Sequence, residues 1–485
     1  MSEDLDEIKS KTIKGFFWRF AERISAQLVT FCVSVVLARI LMPSDYGVIA
    51  IVNIFILIAD TLVTSGLGTS LIQKKEADQL DFSTIFYAGL FLSIIFYCVL
   101  YFTAPFIAKL YDMDSLIIVL RIMGIRLPIS AINSVQQAYV SRKMIYKKFF
   151  FATIIGTVVS AVVGIVMALK CYGIWALVFQ SLINPFIDTV ILFITVKWFP
   201  TLEFSIERLK QLFSFGCKIM ISNLIGTIFN KLRSFIIGTN YCAEDLAFYN
   251  RGESLPQLIT QNISSTLDSV LFPAMSKVQD DMDLVKQTAR KALRLQAYVI
   301  IPLMLGMAVT ADKLVKILLT DKWLMSVPFI QIVCVQEIID ILGASSLQSI
   351  KAIGRSDKIL ILEFIKKPVY VVIIFVVASI DVYWLAMSGI LCSFIAFVVN
   401  SYVSKNLIGY GFFEQLKDVI PSILLSLIMG GLVFFLGKIK MNLYFVFIIQ
   451  VLAGMLIYIL LSFISKNSEF NFIYCIFRKR VKSLL

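Results

Sequence analysis

Histidine does not occur anywhere in the 485 residues. That removes the side chain most used for proton transfer near neutral pH and for binding zinc. Charge is also scarce: Asp, Glu, Lys and Arg make up 16% of the chain, against 59% hydrophobic residues. Soluble domains lie outside that range. The eight cysteines stand singly, most of them inside apolar segments, and no C-x-x-C pair occurs. They read as small hydrophobes, not as a disulfide frame or a metal centre. No phosphate loop of the G-x-x-x-x-G-K-[ST] form is present, so use of ATP is not expected. The polar stretch from Met1 to Lys14 leads straight into the first apolar run, so no cleavable signal peptide is expected.

What the chain does contain is apolar runs of about 20 residues, the length that crosses a bilayer, repeated from end to end; the mean hydropathy is +0.87. Hydropathy windows predict helices at about 15–41, 46–71, 82–108, 115–139, 149–169, 173–196, 211–238, 245–275, 289–318, 327–350, 359–379, 383–404, 418–437 and 443–465. The expected class is an all-α polytopic membrane protein of about fourteen transmembrane helices.

Basic residues alternate with the connections. One set, with the two tails, holds 27 of them, including Lys74, Arg142, Arg208, Arg290, Arg355, Lys417 and Arg478. The other set holds six: Lys109, Lys170, Lys316, Lys322, Lys438 and Lys440. The positive-inside rule then places both termini in the cytoplasm. The net charge of +13 reads as topology and contact with anionic lipids, not as a nucleic-acid surface. No connection is long enough for a folded soluble domain, so any function is expected within the helices.

Three stretches look repeated. Pro43-Ser44-Asp45-Tyr46-Gly47 follows the first helix, and Ala243-Glu244-Asp245-Leu246-Ala247 follows the seventh. Ala104 to Leu110 and Ala311 to Ile317 close the third and ninth helices, while Ser141-Arg142-Lys143 and Gly354-Arg355-Ser356 follow the fourth and tenth. A parallel repeat of six helices predicts an N-terminal lobe over 1–200 and a C-terminal lobe over 201–405, with the substrate path between them. Residues 406–485 then hold two further helices and a basic tail.

Polar side chains enter the apolar helices as stripes at spacings of three and four. The first helix carries Arg19, Arg23, Gln27, Thr30 and Ser34, and the second Asn53, Asp60 and Thr64. The fourth has Arg126, Ser130, Asn133, Ser134 and Gln137; the seventh has Lys218, Asn223, Thr227, Asn230 and Lys231. The eighth has Asn250, Arg251, Glu253, Gln257, Gln261 and Asp268, and the tenth Glu337 and Asp340. A charge at the bilayer centre costs about 2.5–3.5 kcal/mol on insertion scales. For any single residue, hydrogen bonding between helices or snorkelling to the interface is an open alternative. Taken together, the stripes of the first, second, seventh and eighth helices predict a hydrated, cationic cavity. Arg and Lys there suit phosphate, Asn and Gln suit sugar hydroxyls, and Asp60, Glu253 and Asp268 suit proton or cation coupling.

Several motifs in shared order resemble a known family. They are Leu37 to Gly47, Gly66-Leu67-Gly68, Ile72-Gln73-Lys74, Gly173 to Val178, Phe215 to Lys218, Tyr249-Asn250-Arg251, Phe272 to Ser276 and Gly354 to Asp357. From about residue 10 to 405 the chain is similar to Wzx-type polysaccharide flippases, of the colanic-acid and lipopolysaccharide exporter subgroup. These belong to the multidrug/oligosaccharidyl-lipid/polysaccharide exporter superfamily. The resemblance implies a non-enzymatic carrier in the bacterial inner membrane that needs no cofactor beyond a proton or sodium gradient. The implied cargo is an undecaprenyl-pyrophosphate-linked oligosaccharide, with other polysaccharide-assembly proteins as further partners. Related lipid II flippases hold the pyrophosphate with cavity arginines; by position Arg19, Arg23, Lys218, Lys231 and Arg251 take that part here. Asn53, Asp60, Arg126, Asn223, Asn230, Glu253, Gln257, Gln261 and Asp268 would line the rest of the cavity. The competing readings are cation-coupled drug efflux on the same fold, and a membrane enzyme or scaffold of polysaccharide assembly.

Overall fold

A peptide group has no water to bond in hydrocarbon, so a chain this apolar must satisfy its backbone internally, and helices do so residue by residue. The structure, a computed structural model, describes the backbone of residues 2–74, 76–472 and 474, and side chains within 17–474 except 75, 268–274, 356 and 473. Among them the regular elements are helices, with no strand. The chain forms two compact units, Met1–Ala247 and Phe248–Leu485.

The first unit holds α1 (Ser2–Ile40), α2 (Pro43–Thr64), α3 (Leu67–Gln73), α4 (Gln79–Leu110), α5 (Ser115–Met123), α6 (Arg126–Lys143), α7 (Tyr146–Leu169), α8 (Ile174–Val196) and α9 (Ile206–Asn240). The division between units falls inside α10 (Ala243–Lys277). The second unit continues with α11 (Met282–Leu318), α12 (Val327–Ala352), α13 (Ser356–Val377), α14 (Val382–Ile408), α15 (Phe412–Leu436) and α16 (Leu443–Ile464). A short 3-10 turn, Asp321–Ser326, leads into α12.

Two expected helices are broken. The second divides at Gly66 into α2 and α3, and the fourth at Gly124–Ile125 into α5 and α6. Counting each broken pair once, the described residues make fourteen long helical segments, of which twelve are long and apolar enough to cross a membrane. The remaining two are α10, with its polar stripe, and α13, which carries Glu363, Lys366 and Lys367. Lys366 is buried, and its ammonium donates to Glu363 Oε1 at 2.7 Å and to Asn400 Oδ1 of α14 at 3.2 Å. Several helices begin earlier than hydropathy places them, because capped polar turns extend them beyond the apolar window. Ser205 caps α9, and Asp281 caps α11 by accepting from the N–H groups of Asp283 and Leu284.

In the first unit α1 packs along α7, α7 along α8, and α6 against α2, α4 and α8. The seventh long helix, α9, lies on α2, α3 and α4. It crosses α2–α3 where two glycines meet: a Cβ on Gly216 would come within 2.9 Å of the Gly66 carbonyl oxygen, and a Cβ on Gly66 within 2.3 Å of that of Gly216. Gly66 also has φ +152°, a conformation open to glycine alone. The connection from α8 to α9 is tied down to the start of α4. The Trp198 indole donates to Gln79 Oε1 at 2.7 Å, the Gln79 amide to the Phe199 carbonyl at 2.7 Å, and the Thr201 N–H to Ser83 Oγ at 2.9 Å. Beneath these bonds Phe82, Tyr139, Trp198 and Leu212 share one apolar cluster. Alongside, the fully buried Asp81 accepts from Lys74 Nζ at 2.6 Å on both oxygens and pairs with Arg208 at 3.5 Å.

Valine in place of Gly216 is expected to undo this crossing, because the obstructing atoms are backbone; thermal unfolding in detergent should fall by several degrees, and an unchanged midpoint would refute the packing described. Asp78 offers a pH test. The Asp81 N–H, 2.9 Å from Asp78 Oδ1, holds the Asp78 carboxyl below the usual carboxylate range, with Arg208 and Lys74 assisting. A carboxyl lowered by folding stabilises above its unfolded pKa, about 3.9, and stops doing so as pH falls through the lowered folded value. The stability gap between wild type and Asp78→Asn should therefore be full at pH 7 and close as the pH falls through the lowered folded value.

Candidate functional site

A concentration of polar groups in the first unit lies among α1, α2, α6, α7 and α8. Each apolar helix brings a stripe at spacings of three or four, and packing turns the stripes towards one another. α2 supplies Asp60 and Thr64, α6 supplies Arg126, Ser130, Asn133, Ser134 and Gln137, and α1 adds Thr30. From α7 come Thr157 and Ser160, and from α8 Gln180, Ser181, Asn184 and Asp188. Together they enclose a cavity of about 550 Å³.

Its hydrogen bonds run from α6 to α8. Asn133 Nδ2 donates to Asp188 Oδ2 at 2.8 Å and to Thr189 Oγ1 at 2.9 Å, and the Gln137 amide donates to Asn133 Oδ1. The Asn133 orientation is thereby set: its nitrogen faces the carboxylate and its oxygen the second amide. Asp60 lies beside Arg126 and Ser130. Asp60 Oδ1, Asp188 Oδ1 and Arg126 Nε are buried and have no hydrogen-bond partner among the described residues. An unpaired buried polar atom costs about 1–3 kcal/mol, so a cavity of this size and polarity is one that water fills. Two carboxylates face one guanidinium here, an arrangement with one negative charge in excess when both acids are ionised.

Of the residues singled out in the sequence, Asp60 and Arg126 meet in this cavity. Arg19 does not: its guanidinium lies 4.3 Å from the Phe149 ring centre and 3.3 Å from Glu22. Arg23 and Asn53 are exposed, and so are Lys218, Asn223 and Asn230 on α9; Lys231 is half-buried. In the second unit Arg251 lies over the Trp323 indole at 5.1 Å. Glu253 accepts from the Tyr249 hydroxyl at 3.2 Å; Gln257 is half-buried and Gln261 exposed. The Asp268 side chain lies outside the described residues. A buried contact joins α10 to α12, where Thr260 Oγ1 donates to Glu337 Oε2 at 2.7 Å.

Sequence reasoning passed over the α8 contribution. Gln180, Asn184 and Asp188 stand four apart in an apolar helix, the same signal that marked the fourth helix, and Thr157 and Ser160 on α7 stand three apart. Those spacings were the available sign.

With this geometry in place, the chain can be set beside known proteins. The model of a family described as polysaccharide biosynthesis protein matches residues 36–328. The chain is 23% identical over 480 residues to an uncharacterized membrane protein in the cps region of Klebsiella pneumoniae, covering 95% of this chain and 96% of that one. It is 21% identical over 336 residues to the lipopolysaccharide biosynthesis protein WzxC of Escherichia coli K12, covering 68% and 67%. Among solved structures, the inward closed conformation of the lipid II flippase MurJ superposes with a TM-score of 0.74 at 14% identity, covering 93% of this chain and 98% of that one. That likeness is one of fold.

Asn133 is the organising donor of the cavity. Asn133→Leu keeps the branched shape and strips Asp188 of the Asn133 bond, so it should destabilise the protein by about 1–3 kcal/mol. Asn184→Ala, at a side chain that makes no hydrogen bond among the described residues, should lie close to wild type. Equal unfolding midpoints for the two variants would contradict the assignment.

Proposed function

The chain belongs to the polysaccharide biosynthesis protein family, and from that premise we propose that it is a flippase for undecaprenyl-pyrophosphate-linked oligosaccharide. In this reading it works by alternating access between two lobes, and carries the cargo from the inner to the outer leaflet of the bacterial cytoplasmic membrane. The observation that supports it most is the combination of a MurJ-like fold over 93% of the chain with α9, a span whose Lys218, Asn223 and Asn230 remain accessible.

An exposed ammonium and amides on an apolar helix are costly against lipid and favourable against a pyrophosphate and sugar hydroxyls. In the proposal Lys218, Lys231 and Arg251, with Arg19 and Arg23, bind the pyrophosphate. Asn223, Asn230, Gln257 and Gln261 meet the sugars. Both termini are cytoplasmic, and the helices of 406–485 stand outside the two lobes. Energy comes from a proton or sodium ion taken up at Asp60 and Asp188. There the charge left over by two acids and one base gives a cation its place, and Arg126 a competing one.

A deletion strain lacking paralogues should accumulate the lipid-linked repeat on the cytoplasmic leaflet and lose surface polysaccharide. Wild type should restore export; Lys218→Glu and Asp188→Asn, expressed at equal levels, should not. Normal surface polysaccharide in the deletion strain would sink the proposal, and acquired dye resistance on expression would point instead to drug efflux.

A further inference from the structure

A second group of charges lies in the other unit, at the end where α11 and α15 begin and α16 ends. Two adjoining hollows of about 410 and 420 Å³ share Arg294, Ser468 and Glu469 in their walls. The centre of the cluster is Asp418 on α15. Arg290 of α11 grips it with two bonds of 2.8 Å, Nε to Oδ2 and Nη2 to Oδ1, Arg294 adds a bond from Nη2, and the Tyr410 hydroxyl donates at 2.8 Å. One carboxylate is thus shared by two guanidiniums, and Arg294 Nε is buried without a partner among the described residues.

The remaining charges leave this imbalance uncorrected. Lys291 lies with its ammonium 3.9 Å from the Phe472 ring centre. Lys417 lines the second hollow. The other carboxylate lining the hollows, Glu469, accepts from its neighbour Ser468 at 2.7 Å, and nearby Glu414 is already paired with Lys286 at 2.9 Å. Four cations against two carboxylates make this an anion site by charge, and a fork with a spare N–H is suited to a phosphate oxygen.

The surroundings decide which phosphate. Pro421, Leu424 and Leu425 form one wall, and Leu424 is 55% exposed. Above it Leu427 and Ile428 on α15 and Leu460 and Ile464 on α16 continue an exposed apolar surface. A charged socket at the polar end of two spans, opening onto apolar helix faces, has the dimensions and chemistry of a lipid seat. We propose that this socket binds the headgroup of an anionic phospholipid, its phosphate held by Arg294, Lys291 and Lys417 and its acyl chains laid along α15 and α16. The site is independent of the cargo proposal: none of its residues is assigned to the pyrophosphate or the sugars.

The test uses the full chain purified in a neutral detergent, with thermal unfolding followed on adding dioleoyl-phosphatidylglycerol, dioleoyl-phosphatidylcholine or inorganic phosphate. Phosphatidylglycerol should raise the midpoint by a few degrees and the other two should not. The double variant Lys291→Gln, Lys417→Gln leaves the Asp418 cluster intact, so it should fold as wild type does and lose most of that shift. Arg294→Gln should lose it as well. Native mass spectrometry should find fewer co-purified anionic lipids on the double variant. An equal response to both lipids, or a double variant that responds like wild type, would overturn the proposal. A shift reproduced by inorganic phosphate alone would overturn the lipid assignment in favour of a free anion.

Discussion

Every polar group that enters the apolar part of this chain needs either a partner or water, and that requirement shapes the rest of the molecule. It dictates helices for the backbone. It also dictates how the side-chain stripes are arranged, because a stripe on one helix is tolerable only if other stripes, or water, face it. The first unit meets the condition with a hydrated cavity in which Asn133 holds Asp188 and Arg126 lies beside Asp60. The second meets it with tighter pairs, Thr260 on Glu337 and Lys366 on Glu363 and Asn400.

Connections outside the apolar layer do complementary work. The α8–α9 linker is bonded to α4 through Trp198, Gln79, Ser83 and Thr201, and the α9 helix then crosses α2–α3 at Gly66 and Gly216. Polar bonds set where the seventh span begins, and the absence of side chains sets how closely it can approach. Charges beside this connection, Asp81 of α4 with Lys74 after α3 and Arg208 of α9, are paired at the ends of spans, where pairing is less costly than in hydrocarbon.

Much of the architecture was legible before any coordinates. Apolar runs marked the helices, and the order of motifs from Leu37 to Asp357 pointed to the family that the chain belongs to. Breaks were not read from it: Gly66, between Ser65 and Leu67-Gly68-Thr69, and Gly124, between Arg121 and Arg126, fall within windows that hydropathy averages into single helices, and backbone geometry separates α2 from α3 and α5 from α6. The site was legible in part. Periodicity shows which face of a helix is polar, and it marked Asp60, Arg126 and Asn133, but it does not show which faces meet. It could not pair Asn133 with Asp188 across 55 positions, nor show that Arg19 is engaged by Phe149 and Glu22.

The pairing of Lys366 with Asn400 has a consequence for how the protein is made. With Glu363, Lys366 and Lys367 in one stretch, α13 partitions poorly from the translocation channel into lipid on its own. Its buried ammonium finds its Asn400 acceptor only once α14 has been synthesised. The expected consequence is that α13 integrates together with its successor, as a hairpin, so that the order of synthesis joins hydropathy in deciding when this segment leaves water.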